Sequence, residues 1–129
     1  MDPFHTPGAF SWCELMTTDP TAAGGFYGKL FGWTLESMNI GMPYQVVKTG
    51  DSTIGGIMGM PPGAAPGMPP MWMPYVTVAD VDAMVKQVPA LGGKVHMQPQ
   101  DIPNVGRFAV IQDPQGAVLN IITYAMPAQ

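Results

Sequence analysis

The chain repeats itself at a fixed distance. Asp19 opens an apolar-periodic run that closes at Gly32, Asp80 opens a second that closes at Gly93, and both pairs lie 61 residues apart. A period held across a whole element means one supersecondary unit used twice. Between the copies runs the stretch MGMPPGAAPGMPPM, from Met58 to Met71. Its prolines cannot donate to a β-ladder or sit inside a helix, and its glycines and alanines have little apolar surface to bury, so it reads as an extended surface connection. With 129 residues in all, the two copies are expected to share one compact domain, because a lone module of about half that length buries too little surface to be secure. The expected organisation is module one over residues 9–58, a linker over 59–71 and module two over 72–125.

Each copy reads βαβββ. In the first, residues 10–16 alternate as a strand, with Phe10, Trp12, Glu14 and Met16 on one face and Ser11, Cys13 and Leu15 on the other. Asp19 and Pro20 then start a helix: the carboxylate accepts from free N–H groups of the first turn, and the missing proline donor costs nothing there. Ala23, Phe26, Tyr27 and Leu30 recur at helical spacing. Gly24 and Gly25 weaken that helix by roughly 1 kcal/mol each relative to alanine, so close packing on a sheet is the better reason for them. Strands are expected at 33–38, 44–48 and 53–58, the last containing Gly55-Gly56, which marks a bulge or the close approach of a ligand or another backbone. In the second copy, 73–78 is a strand and Asp80 caps a helix with a stripe of Val81, Met84, Val85, Val88 and Leu91, shortened by Pro89. Strands at 94–98, 106–112 and 117–124 follow. The last two are joined by Asp113-Pro-Gln-Gly116, whose aspartate, proline and glycine suit a type I turn. Residues 1–8 hold two prolines and no periodicity and are expected to form a flexible arm.

Hydrophobic residues make up 47% of the chain and charged residues 11%, low for a soluble surface, so some apolar area should face a cavity or a second subunit. A homodimer is the assembly this favours. A formal charge of −4 leaves no basic footprint, which sets aside nucleic acid and anionic membrane as partners. No apolar run is long enough to span a bilayer, and the first ten residues lack the basic start and apolar middle of a signal peptide. A single cysteine, Cys13, allows no internal disulfide, and a cytoplasmic location is the expectation.

The residues carry a resemblance. Trp12-x-Glu14-Leu-x-x-x-Asp19, then Phe26-Tyr27-x-x-Leu30-Phe31-Gly32-Trp33, then Asp80 with Leu91-Gly92-Gly93 and Asp113-Pro-Gln-Gly116, resemble in that order the vicinal oxygen chelate superfamily. This is the glyoxalase, bleomycin resistance protein and extradiol dioxygenase group, and the likeness covers Phe10 to Tyr124. It implies an α+β fold of two tandem βαβββ modules forming an incomplete, roughly eight-stranded barrel around a cleft, with the helices outside. It also implies two-module monomers or homodimers. The family's metal enzymes take histidine or carboxylate ligands from the first and last strands of each module. The resemblance carries those positions onto Trp12 and Gly56, and onto Met73 and Asn120, none of which is a histidine or carboxylate. A slip of two residues keeps the same face inward and brings in Glu14, Met58, Tyr75 and Ile122. One carboxylate cannot hold a divalent metal, so no metal and no cofactor are expected.

What remains is an apolar, sulfur-rich cleft lined by Trp12, Gly56, Met58, Met73 and Tyr75, with Glu14 and Asn120 as polar groups that orient a ligand. The expected partner is a small, partly apolar molecule. Methionine suits such a wall because its thioether repacks around different guests, although methionines also fill gaps in ordinary cores. A carboxylate is rarely buried without a partner, so Glu14 is either held in a structural pair or, desolvated in the cleft, a general base. Cys13 points the other way and should pack under a helix as a small hydrophobe rather than act as a nucleophile. His5 belongs to the arm and His96 to a strand, neither with a chemical role in view. Phosphate loops, CxxC pairs and GxSxG elbows are absent from the sequence. The favoured function is a metal-independent binding protein of the resistance type. The alternatives are a metal-free isomerase or lyase using Glu14 as base, and a metal-dependent lyase or dioxygenase, against which the missing ligands argue.

Overall fold

The computed structural model describes residues 1–39, 43–60, 67, 69–103 and 105–125. It is an α+β fold in which the βαβββ order occurs twice. The first set is β1 (Phe10–Thr17), α1 (Pro20–Phe31), β2 (Thr34–Asn39), β3 (Pro43–Thr49) and β4 (Ser52–Gly59). The second is β5 (Met71–Thr77), α2 (Val81–Gln87), β6 (Lys94–Ile102), β7 (Gly106–Gln112) and β8 (Val118–Tyr124). Strand order repeats as well, β2-β3-β4-β1 in one set and β6-β7-β8-β5 in the other. In each, the first strand pairs with the last in parallel and the remaining pairs are antiparallel. Most of the expected linker, residues 61–66 and 68, lies outside the described residues. The chain divides into two compact units, Trp12–Met73 and, separately, Met1–Ser11 with Pro74–Gln129.

In the first unit the helix begins as the sequence requires. Asp19 Oδ1 accepts from the Ala22 N–H at 3.0 Å, Pro20 takes the first helical position, and Gly32 closes the helix at φ 73°. Leu15, Val47 and Ile57 form the core under α1, joined by Ala23 and Tyr27 of the helix and by Trp33, Leu35 and Trp72. Gly24 seats the helix: a Cβ there would collide with the side chains of Leu35 and Gln45. Gly25 has nothing within 4 Å, so close packing explains only one of the pair. The outer side of α1 leaves Phe26, Leu30 and Phe31 more than half exposed.

In the second unit Asp80 caps α2 through the Ala83 N–H at 3.2 Å, and Val78, Val81, Val85, Ala109 and Ile121 form the core beneath it. Pro89 ends the α-helix, and the chain makes a 3-10 turn over Pro89–Leu91 that Gly92, at φ 89°, closes one residue before the Gly93 the repeat suggests. Strand β6 runs on through Pro99 to Ile102, past the expected end at Gln98. It is the last strand in the order and carries two register shifts, the setting in which a strand tolerates proline. The expected turn between β7 and β8 is present: Asp113 Oδ1 accepts from the N–H groups of Gln115 at 2.9 Å and Ala117 at 3.0 Å.

The N-terminal residues are a docked segment rather than a flexible arm. Asp2 caps a 3-10 turn over Pro3–His5, accepting from Phe4 N at 3.0 Å and meeting His5 Nδ1 at 2.7 Å. Thr77 Oγ1 donates to the Pro3 carbonyl at 2.6 Å, and the Gly8 N–H donates to the Thr77 carbonyl at 2.8 Å. The Phe4 ring stands edge-on to Tyr124 with centroids 5.0 Å apart. The two prolines lower the entropy lost on ordering, and these contacts outweigh what is left.

Candidate functional site

In the first unit, Leu15, Val47 and Ile57 face α1, so alternation turns Glu14, Tyr44, Gly56 and Met58 to the other side of the sheet. Glu14 sits opposite Gly56 across the parallel β1–β4 pair, and Tyr44 sits opposite Met58 across β3–β4. Side chains tie β1 to β3 there, across β4. Tyr44 Oη donates to Glu14 Oε2 at 2.7 Å, and Trp12 Nε1 donates to Tyr44 Oη at 2.9 Å. Glu14 is 9% exposed, and Met58 and Met73 are 8% each. Trp72 packs with the cluster under α1, which puts its neighbour Met73 on the opposite face.

The glycine pair of β4 has two separate explanations. A Cβ on Gly55 would collide with the Cys13 carbonyl, so the neighbouring backbone accounts for it. A Cβ on Gly56 would collide with the ring and hydroxyl of Tyr44. The close approach expected at Gly56 is therefore made by the protein's own tyrosine. Tyr44 is the residue the sequence reading left out of the site.

In the second unit, Tyr75 sits opposite Asn120 across β5–β8, and each is 4% exposed. Phe108 of β7 brings its ring to 6.4 Å from that of Tyr75. Ile121 belongs to the core under α2, so Asn120 faces the other way. The repeat explains this grouping. Tyr75 lies 61 residues after Glu14, while Phe108 and Asn120 lie 64 after Tyr44 and Gly56, so Tyr75, Phe108 and Asn120 are the second copy of Glu14, Tyr44 and Gly56.

The remaining reactive groups lie elsewhere. Cys13 lines an apolar pocket of about 200 Å³ with Trp33, Val47, Ile54, Gly55 and Trp72, and burial pushes its thiol pKa up. His96 is exposed and rests against Gln112. Arg107 bridges α2 and β6 through Asp82 and Asp101, and its guanidinium holds the Asp82 carboxyl below the usual carboxylate range. Among the described residues no three of the histidines, cysteine, aspartates and glutamates come together as a metal site. A phenol, an indole and thioethers around one carboxylate do not fit the divalent ion that this fold's metal enzymes hold.

The family model described as the Glyoxalase/Bleomycin resistance protein/Dioxygenase superfamily matches residues 9–121. The chain belongs to this superfamily. CFP32 of Mycobacterium tuberculosis, which bears a provisional glyoxylase name, is 44% identical over 117 residues, covering 89% of this chain and 44% of that protein. The anthracycline biosynthesis protein DnrV of Streptomyces peucetius is 33% identical over 130 residues, covering 89% of this chain and 46% of that protein. The chain thus spans somewhat less than half the length of these curated relatives. Among solved structures, methylmalonyl-CoA epimerase from Mycobacterium tuberculosis superposes with a TM-score of 0.68 at 15% identity, covering 95% of both chains. At that identity the likeness speaks for the fold alone. No helix among the described residues is long and apolar enough to cross a membrane.

Proposed function

We propose that the chain binds a small, partly apolar molecule without a metal ion, on the first-unit sheet face that carries Trp12, Glu14, Gly56, Met58 and Met73. The observation that carries this reading is the bond from Tyr44 Oη to Glu14 Oε2 on a face with indole and thioether neighbours. A few fixed polar groups among apolar and aromatic ones are what a small-molecule site needs to orient its guest. The names of the two curated relatives, a glyoxylase and an anthracycline biosynthesis protein, both refer to small-molecule chemistry and agree with this reading.

The test is to extract the purified protein with organic solvent and identify what it carried. A stoichiometric organic guest in the wild type that Glu14→Gln and Tyr44→Phe proteins no longer retain would support the reading. Equal retention by folded variants would remove the guest from this face. Turnover of that guest by wild type, lost in Glu14→Gln with binding kept, would establish the enzyme instead.

A further inference from the structure

Glu14 and its neighbours occupy one side of the first-unit sheet, and the other side has an opening beside α1. Gly55 lies opposite Val47 across β3–β4 and opposite Cys13 across β1–β4, so one cross-strand row on the α1 side reads Val-Gly-Cys. The Cys13 carbonyl leaves no room for a side chain in the middle of that row. The pairing of β3 with β4 then jumps from Gly55 to Thr53, and the unpaired Ile54 of this bulge packs on the same side. What is left between these side chains and those of Trp33 and Trp72 is the pocket of about 200 Å³.

Its walls fix the chemistry of an occupant. Trp72 donates through Nε1 to Tyr27 Oη at 3.2 Å, and the Trp33 and Trp72 rings meet edge to face with centroids 6.0 Å apart. Two indoles held in this way give a preformed aromatic wall. None of the described residues that line the pocket is charged, and the surface they present is almost wholly apolar. Water needs about two to four polar partners to settle in a cavity, and a thiol supplies one weak one. A charged guest would lose its hydration and gain no counter-charge. Size sets the other limit: an apolar cavity of about 150 Å³ takes up benzene, whereas drug-sized ligands need about 300 Å³ or more. The space here lies between the two, enough for a single ring or two fused rings. Phe31, 56% exposed with its ring 5.0 Å from that of Trp33, carries the aromatic surface outward to the face of α1.

We propose that this pocket is a second ligand site, on the opposite side of the sheet from Glu14, for a neutral aromatic molecule of one or two rings. The site is independent of any guest on the Glu14 face.

The probe is toluene, titrated into the full chain labelled with 5-fluorotryptophan and followed by fluorine NMR. The three tryptophans give three reporters, assigned with Trp12→Phe, Trp33→Phe and Trp72→Phe variants. Trp33 and Trp72 stand in the pocket, and Trp12 bonds Tyr44 on the other face. The Trp33 and Trp72 signals should move saturably and together while that of Trp12 stays. Benzoate, the same ring with a charge, should move none of them at equal concentration. Cys13→Leu, which fills the space with its own side chain, should weaken toluene at least tenfold, with folding checked by thermal melting. Cys13→Ala, which keeps the space open, should bind toluene as wild type does. Should Cys13→Leu fail to fold, the wild-type titration decides alone. Toluene that moves only Trp12 occupies the Glu14 face, which overturns the pocket site and leaves the small-molecule reading of that face standing. No saturable shift up to the solubility limit, equal binding by folded Cys13→Leu, or an equal response to benzoate would each overturn it too.

Discussion

The Tyr44 hydroxyl lies 2.7 Å from Glu14 Oε2, and it reaches there only because Gly56 has no side chain to displace the ring. Three strands meet in that contact, and a fourth residue, Trp12, completes it from β1 by donating to the same hydroxyl. Changing any one member therefore removes a hydrogen bond or disturbs the ring's seat on Gly56.

Tyr44→Phe keeps the ring over Gly56 and deletes the hydroxyl. The Glu14 carboxylate loses a donor in a site 9% exposed, and the Trp12 indole loses its acceptor. Stability should fall by about 1–3 kcal/mol, read as a lower urea midpoint with an unchanged slope.

Gly56→Ala should cost a similar amount, about 1–3 kcal/mol, for the opposite reason: it adds a methyl where the Tyr44 ring already lies. In a Tyr44→Ala background that space is empty, so the same substitution should cost much less. A double-mutant cycle reads the difference, and strict additivity would show that the ring is not what confines Gly56.

Much of the fold was legible because its signals are local. Asp19 with Pro20, and Asp80 alone, cap the helices through N–H groups three residues on, and Asp113 builds its turn within five residues. The face of β1 was legible too, since alternation alone separates Glu14 from Leu15. Tyr44 was not, because it reads as an ordinary strand residue and its partner Glu14 is 30 residues away with no periodicity linking them. The docking of Phe4 and Pro3 was hidden for the same reason, since Tyr124 lies near the other end of the chain and Thr77 is 74 residues from Pro3. Strand β6 outran its expected end because Pro99 reads as a stop, whereas an outermost, bulged strand tolerates it.

Cys13 should react slowly. Burial raises its pKa and so lowers the thiolate fraction, and the thiol faces a pocket lined by Trp33 and Trp72. Its reaction with an aromatic disulfide reagent at pH 8 should be roughly tenfold or more slower in native protein than in urea. Equal rates would mean that the thiol is open to solvent.

Tyr124 gives the molecule an alkaline limit. Burial pushes its phenol pKa up to about 12 from 10.0, against a smaller opposing effect of the Ser11 hydrogen bond. The folded state holds the proton more tightly than the unfolded chain, so the stability this burial contributes is complete below pH 10.0 and is lost as pH rises towards about 12. Tyr124→Phe should remove a late-ionising phenol from the ultraviolet titration and flatten the fall in stability across that window.

The most direct measurement for the central claim is native mass spectrometry of protein purified without chelator, before and after dialysis against EDTA. Binding without metal predicts a subunit mass free of divalent ion in both samples, with the organic guest retained after dialysis. A subunit carrying one divalent ion before dialysis, with the guest lost when the ion is removed, would contradict it.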